Sequence, residues 1–205
     1  MATTTNYGWT TPNDTALVKD GAAAIRSLGS AIDTSLNTAL GTKKAGLVLL
    51  NTTTFTNVAS QSINNVFTSA YDNYRIYFIG IATGGLNAFR FRLRVSGTDA
   101  TGSNYNQQRL SASSTTVAGL RQTGLSSGVF GIVKDDNSQV VVDISRPFLA
   151  SATNFIGLSI PGVDTNLELF NYVGSHTLAT SYDGFSVFPD AGNITGTIRV
   201  YGYAN

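Results

Sequence analysis

The sequence predicts a mainly β protein: an antiparallel, jelly-roll-like β-sandwich over residues 46–205, preceded by an N-terminal α-helical anchor over residues 1–45. Three observations predict it. Only 12% of the residues are charged, against about 25% in an average soluble chain. Ser, Thr, Asn and 21 Gly fill the vacant polar positions; these residues compete with the helix for backbone hydrogen bonds and suit strands joined by turns. After Gly46 the apolar residues recur with period two. About ten such segments follow one another with turn clusters and no helical pattern between them, which describes an antiparallel two-sheet fold. At 42% hydrophobic, the chain has enough apolar mass to bury a core.

The chain opens on a polar arm holding Tyr7, Trp9 and Pro12. Met1 to Tyr7 lack the basic start and apolar run of a signal peptide, and no apolar stretch is long enough to span a bilayer, so no membrane insertion is expected. Residues 13–40 are the one good helix candidate, capped by Asn13 or Asp14. Val18, Ala22, Ile25, Leu28 (or Gly29), Ile32, Leu36 and Ala39 recur at spacings of three and four, and Val18, Ile25, Ile32 and Ala39 fall seven apart as a short heptad seam. Lys19, Arg26, Ser27, Ser30 and Asp33 take the opposite face. Gly21 and Gly29 each weaken the helix by about 1 kcal/mol relative to Ala, and Asp20-Gly21 is a candidate break. A stripe this narrow is explained either by a helix folded back on the body or by self-association into a bundle of three chains. Gly41 to Ala45 reads as a hinge, with Lys43-Lys44 placed where a helix C-terminus favours cations.

Strands are expected near Leu47–Leu50, Ile63–Phe67, Tyr74–Ala82, Ala88–Ser96, Tyr105–Ser111, Val129–Val133, Gln139–Ser145, Asn154–Ile160, Leu167–Val173, Gly184–Phe188 and Ile194–Tyr203. Gly84-Gly85, Ser96-Gly97-Thr98-Asp99, Asp135-Asp136-Asn137, Gly162-Val163-Asp164 and Asp190-Ala191-Gly192-Asn193 mark turns between them. No internal repeat is evident, which argues against a solenoid or propeller.

A formal charge of +1 excludes binding nucleic acid, or an anionic membrane, by bulk charge. Residues 1–45, 46–110 and 111–205 carry +1, +3 and −3, so the two halves of the body attract, within one subunit or head to tail between subunits. With no Cys, one His and one Glu (Glu168), the stock of nucleophiles, general bases and metal ligands is nearly empty. The sequence therefore points away from an enzyme and implies no catalytic residue, cofactor or metal. His176, in a loop after an apolar strand, has no Gly-x-Ser-x-Gly partner motif and is expected to make a structural hydrogen bond. One His without Cys cannot build a zinc site. Asp135-Asp136-Asn137 lacks the spacing of a calcium loop and reads as an Asx-rich hairpin turn.

The sharpest local pattern is Phe89-Arg90-Phe91-Arg92-Leu93-Arg94-Val95. In a strand it sends Phe89, Phe91, Leu93 and Val95 to the core and lines up Arg90, Arg92 and Arg94 on the other face, about 7 Å apart. Such a row needs acids opposite. Asp143 or another acid on an adjacent strand, a neighbouring subunit, or an anionic glycan would each answer. Tyr7, Trp9, Tyr71, Tyr74, Tyr105, Tyr172, Tyr182, Tyr201 and Tyr203 are candidate exposed aromatics for sugar faces or protein interfaces. Trp9 stands out, because its polar arm has no core of its own and the ring calls for a pocket on a partner.

Tyr7-Gly8-Trp9-Thr10-Thr11-Pro12 followed by Leu17-Val18-Lys19-Asp20-Gly21-Ala22-Ala23-Ala24-Ile25-Arg26-Ser27-Leu28-Gly29 resembles the N-terminal segment of many tailed-bacteriophage structural proteins: tail-fibre, minor tail and other minor virion proteins. Tyr182 to Phe188 and Gly196 to Tyr203 are similar to the closing strands of the β domains such proteins carry. The resemblance implies a virion component at the particle surface, made in the host cytoplasm and trimeric. Tyr7, Trp9 and Pro12 would dock on tail, portal or capsid proteins, and Val18, Ile25, Leu28, Ile32 and Leu36 would hold the subunits together. The outward β domain would attach to a host surface glycan as a short tail fibre or spike; the alternative is a capsid decoration or head-fibre protein, and a polysaccharide depolymerase is a third reading. No repetitive shaft lies between residues 45 and 60, so a long fibre is not expected.

Overall fold

The computed structural model describes residues 2–12, 17–40, 46–162 and 168–204, which fall into two units, Met1–Ala45 and Gly46–Ala204. In the first unit β1 (Ala2–Thr3) pairs antiparallel with β2 (Thr10–Thr11). The loop between them closes through Gly8 N–H to the Thr4 carbonyl and Thr4 N–H to the Trp9 carbonyl, both 2.9 Å. Gly8 takes a positive φ of 65° there, a conformation that suits glycine.

Helix α1 runs unbroken over Val18–Leu40, so Asp20-Gly21 does not split it. Thr34 and Thr38 remain helical by turning their hydroxyls onto the carbonyls of Ser30 and Thr34, each at 2.8 Å. The Asn13 or Asp14 cap and the Gly41–Ala45 hinge lie outside the described residues. No described helix is long and apolar enough to cross a membrane.

The second unit is all antiparallel β. Its strands are β3 (Leu47–Val58), β4 (Gln61–Ile63), β5 (Asn73–Ala82), β6 (Asn87–Val95), β7 (Thr98–Asp99), β8 (Tyr105–Ser113), β9 (Thr116–Leu125), β10 (Gly128–Val133), β11 (Ser138–Ser145), β12 (Thr153–Ile160), β13 (Glu168–His176), β14 (Gly184–Pro189) and β15 (Ile194–Tyr203). Each expected strand has a counterpart, with corrections. β3 runs on through a Thr-rich stretch to Val58, and β4 ends at Ile63, leaving Val66 and Phe67 buried outside any strand. His176 is not in a loop but is the last residue of β13. β9 was not expected at all.

Two sheets form. One has the order β3-β15-β5-β11-β12-β13-β8-β9; the other has the order β10-β6-β14-β4, with β7 added beside β6. The pairs β3–β15, β4–β14, β5–β11 and β6–β10 are nested: the first such strand pairs with the last, the second with the second-last, and so inward. That is the pairing of one long hairpin whose apex is β6–β10 and whose legs have folded over. The β8–β9 hairpin and the β12–β13 hairpin are insertions, and both extend the larger sheet beyond β11.

The sheets face each other across an aromatic core. Phe78 of β5 stacks on Phe89 of β6 at 4.4 Å, and Phe91 of β6 meets Phe155 of β12 edge-on at 4.9 Å. Gly157 of β12 permits the closest approach, because a Cβ there would lie 2.0 Å from the Phe130 carbonyl oxygen of β10. Every residue of β10 is buried. Phe130 enters the main core, while Val129 and Ile132, on the face shared with Arg90 and Ala88, pack on Phe170 and Tyr172 of β13. The larger sheet therefore curls around the β10 edge and covers part of the outer face of the smaller one.

Candidate functional site

Trp9 has a partner within its own chain. Its indole Nε1–H donates to Ser35 Oγ at 2.9 Å, and its ring stacks on Tyr7 with centroids 5.0 Å apart. No described residue of the arm is buried, so it has no core of its own, but the half-buried Trp9 ring is met by its own helix and does not by itself require a pocket on a partner. Tyr7 forms the outer layer of the stack at 70% exposure, and Pro12 is exposed. On α1, the half-buried positions Gly21, Ala24, Leu28, Ala31, Ile32 and Ser35 fall on the face that meets Trp9. Val18, Ile25 and Leu36 lie about a quarter turn away at 100° per residue, and are 97%, 66% and 51% exposed. The structure thus separates the expected seam into a covered pair, Leu28 and Ile32, and an outward strip.

The arginine row forms as the alternation predicts. Phe89, Phe91 and Leu93 are buried, although Val95 at the strand end is exposed. Asp143 does not serve the row: it takes both Nε and Nη2 of Arg75, at 2.8 and 2.7 Å, and the Tyr203 hydroxyl at 2.6 Å. Burial pushes the Asp143 carboxyl up, and these donors more than reverse it, holding the group below its ordinary value. The row finds other partners. Arg90 pairs with Asp190 and Arg94 with Asp99. Arg92, between them, donates to the Ser126 carbonyl at 3.1 Å and lies 4.6 Å over the Phe188 ring.

Beside Arg90 the curl of the larger sheet leaves a cleft of about 300 Å³. Tyr172 of β13, Arg109 of β8 and Leu120 of β9 occupy one cross-strand row along it, with Gln122 two residues farther on. Asp190, held by Arg90, closes the opposite side. The Arg109 guanidinium lies 5.8 Å from the Phe170 ring centroid. Its Nε is buried with no hydrogen-bond partner, and no described acid pairs with it. Burial raises the Tyr172 hydroxyl above its ordinary value, opposed by the adjacent Arg109. Sequence reasoning missed this site because β9, one whole wall, was not expected. The inward alternation Tyr105, Gln107, Arg109 was the available signal.

Among the tyrosines expected to be exposed, Tyr7 is exposed and Tyr71, Tyr201 and Tyr203 are half-buried. Tyr74, Tyr105, Tyr172 and Tyr182 are buried, which corrects their reading as exposed aromatics. Tyr74 donates to the Thr68 carbonyl at 2.8 Å and Tyr105 to the Ala100 carbonyl at 3.1 Å. His176 is fully buried between Tyr105 and Tyr182, with Nδ1 3.3 Å from the Tyr182 hydroxyl. Nε2 has no partner, nor does Oγ1 of its cross-strand neighbour Thr153. Burial lowers the imidazole pKa, and a ring sealed from solvent cannot reach a substrate.

In the 135–137 turn, Asn137 N–H donates to Asp136 Oδ1 at 2.7 Å and Ser138 Oγ to the Asp136 carbonyl at 2.9 Å. Among the described residues, no three His, Cys, Asp or Glu side chains group as a metal site would require. Compared with protein-family models, with curated proteins and with solved structures, the chain matches none.

Proposed function

We propose that this chain is a non-enzymatic structural protein of a tailed-phage virion, a short tail fibre or spike that attaches the particle to its host. Its N-terminal unit anchors and trimerises; its β unit is a jelly-roll sandwich turned outward. The observation that carries the reading is the outward strip Val18, Ile25 and Leu36, an apolar surface on a helical unit whose other face is already occupied by its own arm. An exposed apolar strip along one side of a helix is what a bundle of subunits buries. With Trp9 engaged internally, docking on tail, portal or capsid proteins falls to Tyr7, Pro12 and the rest of the hairpin surface.

The nested pairing of eight strands supports a jelly roll, whose two Greek keys generate this order, and the fold recurs in capsid and lectin domains. The likeness of the N-terminal segment and the closing strands to phage structural proteins supports the virion setting. Ile156, Leu158 and Ile160 of β12 with Leu169 and Val173 of β13 leave a second exposed apolar face, which also favours packing between subunits. Three copies would multiply weak contacts with a host glycan through effective concentration.

Adsorption competition tests the attachment role. Purified protein should bind host cells and slow adsorption of the phage in proportion to its concentration. Protein that coats no cells and leaves adsorption unchanged contradicts it and favours capsid decoration; release of reducing sugar from host polysaccharide would replace attachment by depolymerisation.

A further inference from the structure

The geometry points to the cleft beside β10 as a binding site for an acidic saccharide, a sugar ring that carries a carboxylate. The inference deepens the attachment reading and takes its biological sense from it. Three features select the ligand. The first is charge: Arg90 is neutralised by Asp190, whereas Arg109, which lines the cleft and hydrogen-bonds the neutral Tyr172 hydroxyl, has no described acid. An incoming carboxylate meets the cleft side of this half-buried guanidinium with charge-assisted hydrogen bonds, the fork accommodating two oxygens at once.

The second feature is the polar set. Gln122, Tyr172 and Asp190 line the same cleft, the Tyr172 hydroxyl holding Arg109 in place. Asp190 accepts hydrogens from sugar hydroxyls and repels a second negative charge. The combination favours a hydroxyl-rich monoanion over phosphate. The third is shape. Leu86 and Leu120 stand at the cleft with 53% and 40% exposure, offering aliphatic surface to the C–H face of a ring. The cleft volume, about 300 Å³, lies at the small end of ligand pockets. It accommodates one ring of a longer chain, not the whole of it.

The test uses the full chain and calorimetric titration with trigalacturonate and sialyllactose, with maltotriose as the neutral control and inorganic phosphate as the free-anion control. At least one acidic sugar should bind saturably and maltotriose should not. Arg109→Gln should weaken binding by about tenfold or more, the loss of one charged hydrogen bond. Leu120→Glu, at the exposed rim of an edge strand, should weaken it similarly by placing a like charge at the mouth, and it carries the test if Arg109→Gln does not fold. Absence of binding by both acidic sugars, equal binding of maltotriose or phosphate, or indifference to Leu120→Glu overturns the proposal. Failure here with adsorption competition intact removes the cleft and leaves attachment standing; cleft binding by a protein that does not compete does the reverse.

Discussion

Replacing Ile25 by Asp separates a self-associating helix from one that is complete in its own protomer. Full burial of an Ile side chain is worth about 1.5–3 kcal/mol. Ile25 is 66% exposed, so a neighbouring chain can still remove from water about two thirds of that value, about 1–2 kcal/mol per protomer. Three protomers lose about 3–6 kcal/mol, a fall of about 10²–10⁴ in the association constant, before repulsion within a ring of carboxylates is added. The same substitution costs the lone helix only a few tenths of a kcal/mol, roughly the spread of ordinary helix propensities. Sedimentation equilibrium over a range of concentrations reads the first effect and far-UV circular dichroism the second. The wild-type chain should sediment well above its 21.6 kDa protomer mass, and Ile25→Asp should return it towards that mass with helicity retained. A wild-type chain at protomer mass, or a variant that associates as strongly, refutes the reasoning.

Three further outcomes follow from the packing. Gly157→Ala places a Cβ 2.0 Å from the Phe130 carbonyl oxygen, where only backbone can yield; the urea midpoint should drop by the upper end of overpacking costs, about 3 kcal/mol, and an unchanged midpoint would contradict the sheet spacing. Burial lowers the pKa of His176 from 6.5, so the folded chain binds fewer protons than the unfolded one. Stability should fall as pH drops below about 6.5, by at most about 1.4 kcal/mol per pH unit, until the folded-state value is passed. His176→Phe should remove that slope, and a slope kept by the variant would place it elsewhere. Trp9 is the only tryptophan, so its fluorescence reports the arm alone: Ser35→Ala removes the indole's acceptor and should shift its emission and weaken docking by about 1 kcal/mol; unaltered emission would show the arm elsewhere.

How far the sequence reveals this molecule depends on whether a feature is periodic or relational. Residues 89–95 announce β6 because strict alternation has one physical meaning, a strand with a dry face and a wet one. The Val18–Leu40 stripe announces α1 for the same reason. β9 stayed hidden because an edge strand exposed nearly throughout, with Gly119 and Gly124 within it, needs no apolar alternation. The destinations of side chains were less legible still. Asp143 lies on the strand that pairs with β5, so it serves Arg75 and not the Arg90–Arg94 row, and only the sheet order decides this. Trp9 finds Ser35 twenty-six residues away through a hairpin of two-residue strands too short to leave a pattern. The cleft required β9, the curl around β10 and the Arg90–Asp190 pair together, and no one segment encodes it.

The claim on which the rest depends is that the protein belongs to the particle, at the end that meets the host. Electron microscopy of purified virions labelled with an antibody against the 46–204 unit tests it most directly. Label clustered at the tail is the result expected. Label on the head would make the protein a decoration or head fibre, and particles carrying none would contradict the account.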